Sequence, residues 1–154
     1  MTTKLDMLAK LQEQKCLDNA NLLEDKKETA TIWFASLRDE ICKSFEEIEN
    51  SQSNKNTNIK FVQKKWERDG GGGGVISIMK GNVFEKVGVN ISTVYGKFSK
   101  EFREQIPGAE ENGTFWASGI SVVSHMSNPY IPAAHMNTRL LVTGEGDKKK
   151  IWFG

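Results

Sequence analysis

Residues 114–143, TFWASGISVVSHMSNPYIPAAHMNTRLLVT, decide how this chain folds. Two stretches rich in β-branched residues, 114–125 and 134–143, enclose Asn128-Pro129 and Pro132. Proline cannot continue a sheet ladder, and Asn-Pro turns the chain back, so the stretches are predicted to be antiparallel strands. The chain has two histidines, His125 and His135, one in each stretch. Turned back, the segment brings both imidazoles to one end of a sheet. A continuous strand would hold them roughly 30 Å apart.

Alternation assigns the faces. In the second strand Met136, Leu140 and Val142 share an apolar face with Thr138, while His135, Asn137, Arg139 and Leu141 share the other. In the first strand Ser121 and His125 lie on one face, being an even number of residues apart. An imidazole, an amide and a guanidinium in a row suit an anionic ligand. Arginine pairs with a carboxylate through two parallel charge-assisted hydrogen bonds, and histidine is a proton-transfer group and a metal ligand.

The pattern continues outward. Residues 75–79 and 83–95 flank Lys80-Gly81-Asn82, a predicted hairpin turn, and 144–150 is a turn leading to a strand that begins at Ile151-Trp152-Phe153. Ser99 caps a short helix carrying Phe102 and Ile106, ended by Pro107-Gly108. Upstream the period is helical. Residues 4–23 form a weak helix, with Leu5, Leu8 and Leu11 at helical spacing. Asp25 and Glu28 resemble a capping box opening a second helix, whose stripe Trp33, Leu37, Ile41, Phe45 and Ile48 should be buried on the sheet. That helix ends near Asn50, and 51–58 is a polar connector. Helices first and hairpin-linked strands after imply an α+β fold, an antiparallel β-sheet flanked by helices. Residues 1–26 read as a weakly helical N-terminal extension and 27–154 as the domain.

Composition narrows the partners. Net charge is +1, from 21 basic and 20 acidic residues, which gives no long-range field for nucleic acid. Lys148, Lys149 and Lys150 read as a solvated turn. Cys16 and Cys42 lack metal-ligand spacing and imply reduced thiols. No signal-peptide core or integral membrane segment is present in the sequence, so the expected location is cytoplasmic. The glycines at 70–74 are not a nucleotide loop, because no Gly-Lys-Ser/Thr follows and a strand comes next. They read as a flexible loop, or as backbone lying close to a flat ligand.

Three blocks resemble the oxygen-dependent coproporphyrinogen III oxidases. The first is Trp66-Glu67-Arg68 followed by the glycine run, similar to the family's Trp-x-Arg and glycine signature. The second runs from Gly81-Asn82-Val83-Phe84 through Asn90-Ile91-Ser92 to Val94-Tyr95-Gly96. The third comprises Gly119-Ile120-Ser121, Ser124-His125, Asn128-Pro129-Tyr130-Ile131-Pro132 and His135-Met136-Asn137-Thr138-Arg139. Helical residues Trp33-Phe34 and Leu37-Arg38-Asp39-Glu40-Ile41-Cys42 also fit. Residues 1–25 lie outside the resemblance, and the family's His-Pro is His125-Met126 here. Ile151-Trp152-Phe153-Gly154 resembles the start of a Trp-Phe-Gly-Gly-Gly-x-Asp-Leu-Thr-Pro block whose Asp faces the pyrrole nitrogens. The chain is therefore expected to be the N-terminal half of the family fold, truncated at its C-terminus and poorly active alone.

The resemblance implies oxidative decarboxylation of two propionates of coproporphyrinogen III to vinyl groups in haem biosynthesis. Protoporphyrinogen IX, carbon dioxide and hydrogen peroxide are the products. Molecular oxygen is the co-substrate, no organic cofactor is needed, and full-length members form homodimers. By the same resemblance His135 is the proton donor, Ser121, Asn137, Thr138 and Arg139 bind substrate, and His125 and His135 are candidate ligands for a divalent metal. Thr138 lies on the apolar face, so it would act through its backbone. The alternative expectation is a non-catalytic remnant or a tetrapyrrole-binding fragment.

Overall fold

The computed structural model describes residues 4–52 and 58–154, with side chains described from residue 21 onward except Asp147. One helix precedes a six-stranded antiparallel sheet whose strand order equals chain order. The helix, α1, spans Lys4–Ser51, and the strands are β1 Val62–Glu67, β2 Gly72–Met79, β3 Phe84–Lys97, β4 Thr114–Met126, β5 Ala134–Thr143 and β6 Lys150–Phe153. A short helix, α2 (Lys100–Arg103), stands between β3 and β4.

α1 is a single helix and corrects the expectation of two. Asp25 and Glu28 lie inside it, with no chain start for them to cap. Both face water in mid-helix, where a carboxylate spacing of three is tolerated without forming a box. Its buried residues are Leu23, Ala30, Phe34, Cys42 and Glu49, with Leu37, Ile41 and Phe45 packed beside them. The stripe is thus rotated from the expected one, leaving Trp33 and Ile48 about half exposed. Cys16 lies outside the side chains described. Burial pushes the Cys42 thiol up to about 11, keeping it protonated at neutral pH.

α1 packs on one face of the sheet. That face supplies Met79, Val87, Val89, Ile120, Val122, Leu140 and Val142 to the core, as alternation requires. Phe45 meets Phe84 edge-on at 5.0 Å, and Phe34 lies 6.0 Å from Phe153. Phe84 reaches this face because the register against β4 shifts between Phe84 and Lys86. The extra residue, Glu85, forms a bulge that turns Phe84 inward.

A buried carboxylate fixes the β2–β3 hairpin to the helix. Glu49 is 1% exposed, and its oxygens accept the backbone N–H groups of Asn82, Val83 and Phe84 at 2.6–3.2 Å. Without such donors a carboxylate would not remain in an apolar interface. Gly81 makes the approach feasible, since a Cβ there would lie 2.2 Å from the Glu49 carboxyl carbon.

The glycine run differs from the expected loop. Gly72 to Gly74 open β2 and pair with β3, and Gly73 and Gly74 pair with β1 as well. Only Arg68 to Gly71 form the turn, closed by Gly71 N–H donating to Arg68 O at 2.9 Å. Strand β1 was not legible as one, because its residues are nearly all exposed and carry no apolar alternation. Ser99 caps α2 by accepting the Phe102 N–H at 3.3 Å, but α2 ends before Ile106.

Candidate functional site

The face of the sheet opposite α1 carries the residues expected to bind ligand. Register builds them into two rows across the strands. One row is Ile76, Asn90, Ser121 and Asn137, each paired with the next. The other is Trp66, Gly74, Ser92, Gly119 and Arg139. Side chains paired across adjacent strands stand about 5 Å apart at Cβ, so each row forms a continuous surface.

Together they enclose a depression of about 320 Å³, lined by Ser121, Asn137, Thr138 and Arg139 with Trp66, Ile76, Asn90 and Ser92. Glycine shapes its floor. A Cβ on Gly119 would lie 2.6 Å from Thr138 O and 2.8 Å from Arg139 Cβ. The indole of Trp66 closes one side, with its Nε1 3.0 Å from where a Gly74 Cβ would be. The depression is open in the middle and bordered by polar groups.

Arg139 is the one charged residue lining the depression among the described residues. Its Nη2 and Nε donate to Asn137 Oδ1 at 2.8 and 3.3 Å. The amide thereby orients the guanidinium and leaves its remaining N–H groups for an anion. Its backbone is fixed too: Arg139 N–H donates to Gly154 O, and Arg139 O accepts the Gly154 N–H.

The histidines meet as the sequence implied. Asn128 Oδ1 accepts the Tyr130 N–H at 2.9 Å in the turn of residues 127–133, and the ring centroids of His125 and His135 come to 5.5 Å. Both rings are exposed and share the sheet face of Ser121 and Arg139, but neither lines the depression. His135 precedes Asn137 by two residues, about 7 Å along the strand. It therefore stands at the end of the depression rather than in its floor.

As a metal centre the pair is incomplete. Two imidazoles supply two ligands, whereas a tetrahedral site in protein takes three or four. Among the described residues no group of three or more His, Cys, Asp or Glu side chains converges.

Trp66, Asn90 and Ser92 escaped a reading residue by residue, because nothing local separates them from other strand residues. The signal that finds them is parity. Counting in twos along β3 and crossing by register from Ser121 or Arg139 leads to each.

The fold is an antiparallel sheet with one face on a helix and, on the other, a glycine-floored depression lined by a single arginine. Residues 29–154 match the family model described as coproporphyrinogen III oxidase, and the chain belongs to that family. It is 55% identical over 132 residues to the oxygen-dependent coproporphyrinogen-III oxidase of Rickettsia felis, covering 84% of this chain and 46% of that protein. To the Rickettsia bellii enzyme of the same name it is 56% identical over 131 residues, covering 83% and 45%. The chain spans about half the length of the curated relatives it matches.

Proposed function

We propose that this chain carries the propionate-binding part of an oxygen-dependent coproporphyrinogen III oxidase of haem biosynthesis. The observation behind it is the depression that gathers Ser121, Asn137, Thr138 and Arg139 on one uncovered sheet face, with His135 at its end. Each half-reaction converts a propionate, a proton and O₂ into a vinyl group, CO₂ and H₂O₂. Besides CO₂ the side chain loses one proton and two electrons, which with the proton taken up reduce O₂ to H₂O₂.

Within that reaction the residues divide by geometry. Arg139, oriented by Asn137, holds a substrate carboxylate through charge-assisted bonds. Ser121 faces Asn137 across the strand pair and adds a hydroxyl donor. Thr138 contributes its backbone, since its side chain belongs to the helix-facing side. His135 supplies a proton at the end of the platform. We assign His125 and His135 as two ligands of any divalent metal the protein holds.

Residues 27–154 are taken as the oxidase part and 1–26 as an extension. A cytoplasmic setting and a homodimer go with the assignment. Because the chain spans 46% of the first relative, we ascribe binding to it and only slow turnover on its own. The test is an aerobic assay of the purified chain with coproporphyrinogen III beside a full-length relative. Binding of substrate with turnover below about one tenth of the relative is expected, since incomplete positioning alone removes several kcal/mol of barrier lowering. Turnover within that factor overturns the division of labour, and absence of binding overturns the assignment.

A further inference from the structure

The depression holds a polar side chain that the roles above leave unused. Asn90 sits in mid-strand β3, with Val89 and Ile91 as neighbours. Asparagine is disfavoured in strands, where its amide must find partners away from bulk water. Its Oδ1 accepts the Ser77 backbone N–H at 3.3 Å, which anchors the side chain to β2. Among the described residues its Nδ2 donates to no protein acceptor. In register Asn90 pairs with Ser121, and Ser121 with Asn137, so an amide donor stands on either side of the serine. Arg139 is one row away on the same face.

An amide that lines an arginine-bearing depression with its acceptor tied down keeps its N–H groups for a ligand carboxylate. We propose that Asn90 is a substrate-binding residue, donating Nδ2–H to a propionate on the side of Ser121 opposite Asn137. The assignment rests on the function proposed above. It gives the platform a donor on β3 and spreads carboxylate recognition across β3, β4 and β5. A tetracarboxylate is thereby held in one orientation, which a lone arginine cannot do because any propionate would satisfy it.

The experiment uses residues 1–154 and coproporphyrin III, the stable oxidised tetracarboxylate, followed by quenching of tryptophan emission. Asn90→Asp keeps an oxygen for the Ser77 N–H and replaces the donor with a like charge. It is expected to weaken binding by about tenfold or more. Asn90→Ala should weaken it by about three- to fivefold, the loss of one donor. For the tetramethyl ester, which carries no anion to repel, the Asn90→Asp loss should shrink to about threefold or less. Should Asn90→Asp lose the native circular dichroism spectrum, Asn90→Ala is scored in its place. Parent-like affinity in the folded variant, with Arg139→Ala binding abolished, overturns the role of Asn90 and leaves the platform standing. No binding by the unaltered chain, or none lost in Arg139→Ala, overturns the platform and Asn90 with it.

Discussion

Arg139 combines three constraints in one residue: a backbone paired on both sides, a guanidinium held by Asn137, and a glycine beneath it. A lysine keeps the charge but neither the fork nor the hydrogen bonds to Asn137. In a full-length relative carrying the same residues, Arg139→Lys is therefore expected to raise KM about tenfold, the loss of roughly 1.4 kcal/mol. Steady-state kinetics check it, and parent-like KM removes Arg139 from the carboxylate site. Its placement was legible beforehand, because period-two alternation puts His135, Asn137 and Arg139 together whatever the strand pairs with. Asn90 was not legible in that way. Its face follows from the alternation of Val87, Val89 and Ile91, but its place beside Ser121 depends on how β3 pairs with β4, and register is a property of two strands rather than one.

Among the elements, the β2–β3 hairpin depends on the helix more than its short turn requires. Glu49 supplies acceptors for three consecutive N–H groups, Asn82, Val83 and Phe84. Removing the carboxylate leaves those donors in a part-buried to buried site, at about 1–3 kcal/mol for each left unsatisfied. Glu49→Ala should thus lower unfolding stability by about 3 kcal/mol or more, and Glu49→Gln by less, because one oxygen remains. Urea denaturation of the two variants would measure it, and equal stabilities would show the contact to be dispensable. The sequence did not announce this residue, since a glutamate late in a helix reads as solvated. The hidden clue is spacing: Cys42 and Glu49 are seven apart and share the buried stripe with Phe34 and Phe45. The misplaced helix start at Asp25 has the opposite cause. A capping box is a local pattern, and here favourable packing on both sides carries the helix through it.

Among the described residues the molecule has two layers, the helix and the sheet, and one face of the sheet is uncovered. α1 protects one side of the sheet, while Ile76, Val94, Ala117 and Trp152 on the other are only partly buried, and Ile151 and Phe153 on the edge strand are 43% and 57% exposed. An apolar surface of that kind binds hydrophobic dyes and pairs with copies of itself. The isolated chain should bind anilinonaphthalene sulfonate in its native state and sediment with concentration-dependent mass; a dye-silent monomer at all concentrations would contradict this. Strand order that repeats chain order also governs how the platform comes into being. Each strand docks on the one made just before it, so loop closure costs little at any step and the sheet can grow from one end. Every residue assigned to substrate lies between Trp66 and Arg139, and all are in register once β5 has joined β4. During synthesis, which proceeds in the order the strands add, the depression is therefore complete as soon as β5 has docked on β4.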